Sequence, residues 1–331
     1  MRAALLGLLV LLLAVAISAA IGSSALPFLR ALAILAHTAD DVRPWEQAVV
    51  LDVRLPRVAV ALLSGAGLGV SGAAMQGLFR NELAEPGVLG VTSGATLGAV
   101  VALYLLPATA SPIAVPLASF AAALGCVLLV HRLAGGHAPR ASLLLAGVAV
   151  SGVAGALASM VLSLSVADWE LGRQMLSWMM GGLEGRGWAH AGLVGPPVLV
   201  GAALLLVRAR ELDALALGEE SAVGLGVDVA RLRRSVLVLV ALSTGAAVAV
   251  AGSIAFLGLM APHVVRALVG PSHRRVVAGS AIAGAVGLVL ADALCRAVAG
   301  MVDLRPGVVT ALLGGPFFLA LLARDLRAVR A

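Results

Sequence analysis

Three groups of residues in this 331-residue chain have the types and spacing for chemistry. The first is Gly69-Val70-Ser71-Gly72, a serine among glycines in an apolar run, with His263 inside a late apolar stretch. A serine activated by a histidine on another span is what intramembrane peptide cleavage requires. The second is Asp292 with Arg296, four residues apart and therefore on one helix face. The third is Pro262-His263 within GSIAFLGLMAPHVVR (252–266), a stretch that is apolar but ends in arginine.

Each group also has a plainer reading. GLGVSG (67–72) fits the glycine pattern of dinucleotide sites, yet no strand precedes it. Small residues at this spacing pack helices closely, as do Gly65 with Gly69 and Gly94 with Gly98. Asp292 and Arg296 either face a cavity or form an internal ion pair, because lone charges in a span are costly. Pro262 removes a backbone donor, which a bilayer tolerates only beside protein or a water-filled path. Pro262 and His263 therefore read as a structural break near the inner surface, not as a catalytic or metal-binding pair. His37, His131, His137, His190 and His273 lie in loops or at span ends without metal-ligand spacing. Cys126 and Cys295 are isolated in apolar runs and suggest neither a disulfide framework nor a metal site. No catalytic residue and no metal ligand is expected. All 23 basic residues are arginine, so a Walker A lysine, a Schiff-base lysine and a Ser-Lys dyad are excluded on this chain.

These residues must be positioned by membrane helices. Hydrophobic residues make up 61% of the chain and charged residues 12%, against about 25% charged in soluble domains. The fold class is an all-α polytopic membrane protein. Its net charge of +6 points to orientation in the membrane, not to nucleic acid. An apolar run over 3–21 reads as an uncleaved first span, although a signal peptide has a similar composition. A polar stretch over 22–56 reads as an outward loop with short helical pieces. Further spans are expected over 57–79, 88–107, 112–131, 142–166, 188–207, 235–250, 252–269, 276–299 and 307–322, most near the roughly 20 residues a crossing needs. That makes about ten transmembrane helices in one permease-like domain, 1–331. Fifteen arginines fall on the proposed inner side and eight on the outer, which puts both termini in the cytoplasm. Trp45, Trp169, Trp178, Trp188 and Tyr104 all fall in or beside outward segments, as interfacial aromatics do.

Three further patterns bear on function. The longest inner segment, 208–234, mixes acids and bases around an amphipathic core over 212–223. It is either a solvated connection or a docking surface for a soluble partner. Residues 61–86 overlay 241–266 without gaps, matching Gly65 to Gly245 and Gly72 to Gly252. The polar break after Phe79 then meets one after Met260, as an inverted-topology repeat in a transporter would give. In the fifth span Ser142, Ser151, Ser159 and Ser163 alternate with Gly147, Gly152 and Gly155. This stripe, with Ser151, Gly155, Ser159 and Ser163 near one face, suits either a helix crossing or the wall of a wide translocation path.

Taken together, the motifs resemble the FecCD-like permeases of type II ABC importers, which carry ferric siderophores, haem or cobalamin across the bacterial inner membrane. The resemblance covers nearly the whole chain. Its marks are RLPR (54–57), Gln76 with NELAEPGVLG (81–90), Trp178 with Gly181-Gly182, and LGEESAVGLG (217–226). GSIAFLGLMAPHVVR, Ala291-Asp292 with Arg296, and Pro306-Gly307 leading to GGPFFLALL (314–322) complete it. It implies a multi-pass subunit that pairs with a second copy of itself, binds two cytoplasmic ATP-binding-cassette ATPases, and receives a periplasmic substrate-binding protein. No cofactor is expected on this chain; ATP and Mg belong to the ATPase. The segment 208–234 becomes a coupling loop, with Leu217, Gly218, Ala222, Leu225, Gly226 and Val227 against the ATPase. Arg54, Arg57 and Arg296 become docking residues for the binding protein. Asn81, Pro86, Pro262 and His263 become breaks at the inner end of the path. The expected cargo is an iron–siderophore or haem-type chelate, with cobalamin as the alternative; a proton-coupled secondary transporter is the alternative of another class. The chain departs from the family in two places: Asn81-Glu82 stands where Asn-Pro is usual, and the proline after Asp303 is shifted by one.

Overall fold

The structure is a computed structural model that describes residues 2–21, 26–36, 38–39, 41–107, 109–134, 140–165, 167–299 and 301–330. His37 and His137 lie outside the described residues. The chain folds into helices α1 (Arg2–Ala20), α2 (Phe28–Leu35), α3 (Pro44–Ala48), α4 (Leu55–Phe79), α5 (Val91–Leu105), α6 (Ala114–Ala134) and α7 (Arg140–Leu164). These are followed by α8 (Trp169–Met179), α9 (Trp188–Ala216), α10 (Glu219–Gly224), α11 (Val229–Ala251), α12 (Leu257–Val269), α13 (His273–Val298) and α14 (Pro306–Arg330). A π-helical stretch, Val49–Arg54, joins α3 to α4, so the helical path runs unbroken over Pro44–Phe79. Seven helices are long and apolar enough to cross a membrane; Leu5–Ala20, Val91–Leu105 and Leu257–Val269 are apolar but shorter.

The two short helices α5 and α12 each follow a break. Helix α4 ends where Arg80 takes a left-handed conformation, and a short 3-10 turn, Pro86–Leu89, leads into α5. Helix α11 ends at Ala251, and Gly252–Phe256 are non-helical before α12 begins. This corrects two expectations. The second break falls after Ala251, not after Met260, so the two helix ends, Phe79 and Ala251, are eight residues out of register with the gapless overlay. Pro262 and His263 sit inside α12 and do not break it. The missing Pro262 N–H frees only the Gly258 carbonyl, and that oxygen lies where α12 crosses α4.

Helix α4 is the centre of the bundle and packs on α9, α11, α12 and α13. It can do so because its glycines remove side chains at the crossings. A Cβ on Gly65 or Gly69 would overlap the carbonyl of Gly284 or Ser280 on α13, and one on Gly72 would overlap Gly258 of α12. The GLGVSG pattern is therefore a packing surface. Ser71 is buried with no hydrogen-bond partner, and no hydrogen bond among the described residues joins it to His263. Helices α4 and α11 are buried nearly all round, whereas α6 and α7 keep most of their surface exposed. Apolar residues facing outward on α7, such as Val153, Leu157 and Met160, suit lipid or another subunit.

The expected long inner loop is mostly helix. Helix α9 runs on to Ala216, α10 follows after two residues, and Asp228 caps α11 by accepting the Arg231 N–H.

Candidate functional site: two ends of a permease

Motifs spread from Trp178 to Gly307 converge at one end of the bundle, the end that the arginine distribution expects to face outward. The Gly182 N–H donates to the Ala251 carbonyl at 2.8 Å. A Cβ on Gly252 would lie 2.6 Å from the Trp178 carbonyl oxygen and 2.8 Å from the Gly181 Cα. A Cβ on Gly307 would overlap the carbonyls of Met180 and Ser253. Gly181 and Gly252 also have φ of 71° and 73°, which side chains rarely adopt. So the WxxGG, GS and PG signatures form one backbone junction that joins α8, the α11–α12 break and α14.

Deeper in the bundle, Glu85 accepts the Phe256 N–H at 2.8 Å. This caps the start of α12, where backbone donors have no helical partner. Phe256 itself is left-handed, φ 61°, and Gly314 leaves room for its side chain. The two breaks thus hold each other: the acid from the first caps the helix after the second. Sequence reasoning quoted Glu85 only as part of a motif and missed this role.

At the inner end, Gln76 donates from Nε2 to the Leu259 carbonyl and accepts from Arg266 at 3.0 Å. Glu82, the residue in place of the family proline, lies 3.4 Å from Arg266 and 3.5 Å from His263. His263 packs edge-on against Phe317. Asn81 accepts the Leu83 N–H from its side chain and Pro86 opens the 3-10 turn, so both lie in the first break. Asp213 of α9 accepts both the backbone N–H and Nδ1 of His273 at 2.8 Å, tying α9 to the start of α13. That contact joins residues sixty apart and was not anticipated.

The three arginines expected at a docking surface are turned inward. Arg57 makes a two-pronged ion pair with Asp292, closest at 2.7 Å, and Arg296 bonds the other Asp292 oxygen at 3.0 Å. Arg296 also donates to the Ser18 and Ile21 carbonyls, and Arg54 to those of Ala19 and Ala20. Asp292, Arg54 and Arg296 are buried. The arginines satisfy the last carbonyls of α1, which otherwise lack partners at a helix end. The even choice between ion pair and function for Asp292–Arg296 is resolved in favour of the ion pair, enlarged by Arg57. The guanidinia of Arg54, Arg57 and Arg296 thus tie the end of α1 to the start of α4 and to α13.

The remaining candidates lie on α7 and around α10. On α7, Ser159 and Ser163 face outward, Gly155 has no neighbour a Cβ would meet, and Ser151 is partly buried near Gly90. Around α10, Ala222 is buried against the bundle, while Leu217, Val223 and Leu225 are 69%, 62% and 64% exposed. Gly218 and Gly226 have φ of 125° and 83°, and they turn the chain at either end of α10; Val227 leads on to α11.

A multi-pass helical bundle with paired breaks, an outer glycine junction and a projecting inner helix is the architecture of a membrane permease. The chain matches the FecCD transport family over residues 9–324 and belongs to it. It is 44% identical to the cobalamin import system permease protein BtuC of Halobacterium salinarum, covering 86% of this chain and 76% of that one. It is 38% identical to the hemin transport system permease protein HmuU of Yersinia pestis, covering 96% and 94%. Among solved structures, a metal-chelate type ABC transporter in an inward-facing conformation superposes with a TM-score of 0.84 at 31% identity, covering 96% of this chain and 97% of that one. The chain is therefore the membrane-spanning permease subunit of an ABC importer.

Proposed function

We propose that this chain pairs with a second copy of itself in the bacterial inner membrane and imports an iron–siderophore or haem-type chelate. Cobalamin is the alternative cargo, as the names of its relatives indicate. Two cytoplasmic ATPases hold and hydrolyse ATP with Mg, a periplasmic binding protein delivers the chelate, and this chain hydrolyses nothing. The path runs beside α7, past Ser151, Gly155, Ser159 and Ser163, where small side chains leave volume for a large cargo. The binding protein rests on the outer rim that Arg54, Arg57 and Arg296 hold in shape.

The observation that carries this reading is α10. This six-residue helix, anchored by buried Ala222, carries exposed Val223 beside Glu219 and Glu220, and the residues flanking it add exposed Leu217 and Leu225. An apolar knob with a charged rim at the inner end suits insertion into a groove on a soluble partner. Closure of the ATPases then pushes α10, which is rooted in the ends of α9 and α11, and the push reaches α4 and the paired breaks.

The test is co-purification of the ATPase with a Val223→Asp, Leu225→Asp double variant in detergent. Loss of the ATPase with an unchanged thermal melt is expected, and undiminished binding would overturn the coupling assignment. Gly226→Arg is a poorer probe, because φ of 83° makes any side chain there strained before a partner arrives.

A further inference from the structure

At the outer end a cavity of about 390 Å³ lies between α8, the loop to α9, the starts of α6 and α14, and the end of α11. Its polar lining includes Arg173, Arg186, Arg305, Glu184 and Trp178. Two of the three cations already have carboxylates. Arg173 pairs with Glu170 at 2.9 Å, and Arg305 pairs with Glu184 and with Asp303. Arg186 does not: among the described residues no carboxylate lies within ion-pair distance of it.

His190, whose ring contacts it, cannot accept from it either. His190 Nδ1 accepts the Gly187 N–H at 3.2 Å, so that nitrogen carries no proton. A neutral imidazole carries one ring proton, so with Nδ1 accepting, the donor is Nε2–H. The Arg186 Nη1 contact to Nε2 at 3.4 Å therefore sets a donor against a donor. Arg186 Nε has no acceptor, and the same holds for Trp178 Nε1 and Arg305 Nε in the same lining. Trp178 and Arg305 are only 7% and 6% exposed, so water does not freely serve them. Burial with no acid to offset it pulls the Arg186 guanidinium down to about 10, which still leaves it charged at neutral pH. Buried donors around an unbalanced cation are costly unless an acceptor arrives.

We propose that this cavity is an oxyanion subsite, centred on Arg186 with Trp178 and Arg305, that receives a carboxylate of the chelate delivered at the outer face. A guanidinium fork and an indole N–H match the in-plane lone pairs of a carboxylate. The volume admits a substituent of the cargo rather than a whole chelate, which makes the site one of first contact beside the path. The cargo part of this inference rests on the importer reading above; oxyanion binding does not.

The experiment titrates citrate, and separately inorganic phosphate, into the full-length chain in zwitterionic lipid nanodiscs, followed by calorimetry. Citrate should bind the unaltered chain with a dissociation constant below the millimolar range. Arg186→Gln should weaken it at least tenfold, Trp178→Phe should weaken it less, and Arg132→Gln on the inner side should leave it unchanged. No binding to the unaltered chain, or equal binding to Arg186→Gln, overturns the subsite. Citrate binding that vanishes in phosphatidylglycerol nanodiscs, with that lipid retained by the unaltered chain and not by Arg186→Gln, would assign the site to a lipid headgroup and overturn the cargo role. ATPase co-purification, measured on the same preparations, reports on the importer reading separately.

Discussion

Asp292 shows how a single residue decides what its neighbours are for. Its buried carboxylate meets Arg57 from α4, which keeps a little exposure, and buried Arg296 from its own helix. Removing one partner of a buried pair leaves a charge without compensation, at a cost of about 3–5 kcal/mol. Asp292→Asn should therefore lower the melting temperature in detergent sharply, while Glu170→Gln, which breaks only an exposed pair with Arg173, should change it little. Replacing Arg54 and Arg57 with Glu separates docking from structure. Exposed docking charges would lose affinity for a binding protein mainly at low salt, because salt screens them. Buried rivets should lower the melting temperature at every salt concentration, and that is the expected result. A normal melt with a salt-dependent docking defect would return these arginines to the surface. The Asp292–Arg296 half of the cluster was legible in the sequence, since four residues on a helix face is local information. Arg57 was not, because its partner is 235 residues away and nothing in the sequence measures that distance.

At the scale of elements, the seven long apolar helices among the described residues, with the shorter Leu5–Ala20, Val91–Leu105 and Leu257–Val269, fall where hydropathy placed spans, because long apolar runs have no other stable state in a bilayer. The ends were harder to read. Hydropathy registers Pro262-His263 as a defect, yet the chain breaks earlier, at Gly252–Phe256, because a proline near the start of a helix costs few hydrogen bonds. Conversely, Gly252 is apolar to a hydropathy count and structurally decisive, since its φ and the close approach of Gly181 require it. Among the glycines of α4 and α7, the same residue type carries opposite weight. A methyl on Gly72 would overlap the backbone of Gly258 and push α12 off α4, whereas a methyl on Gly152 meets nothing within 4 Å. Gly72→Ala should leave little folded protein in the membrane fraction. Gly152→Ala should melt within about 0.5 kcal/mol of the parent chain. Equal behaviour of the two would mean that the α4–α12 crossing is not as tight as the backbone approach indicates.

For the molecule as a whole, membership of an ABC importer makes ATP the source of energy, and the buried acids show why a proton gradient would serve poorly. Proton coupling needs an intramembrane carboxylate that meets each side of the membrane in turn and changes charge as it does so. Among the described residues, Asp292 and Glu85 stand inside the helical bundle, and both are committed. Asp292 is held by two guanidinia at the end of α1, and Glu85 is fixed on the Phe256 N–H as the cap of α12. Moving either one means dismantling the joint it holds. The inner end offers the opposite arrangement, an exposed helix rooted in two long ones, where force from outside can enter without breaking a buried contact. Uptake into proteoliposomes carrying the permease, its ATPase and its binding protein should stop when ATP is depleted and persist when the proton gradient is collapsed. Uptake that survives without ATP and dies with the gradient would put the energy source in Glu85 or Asp292. Helix α10 would then be a solvated connection after all.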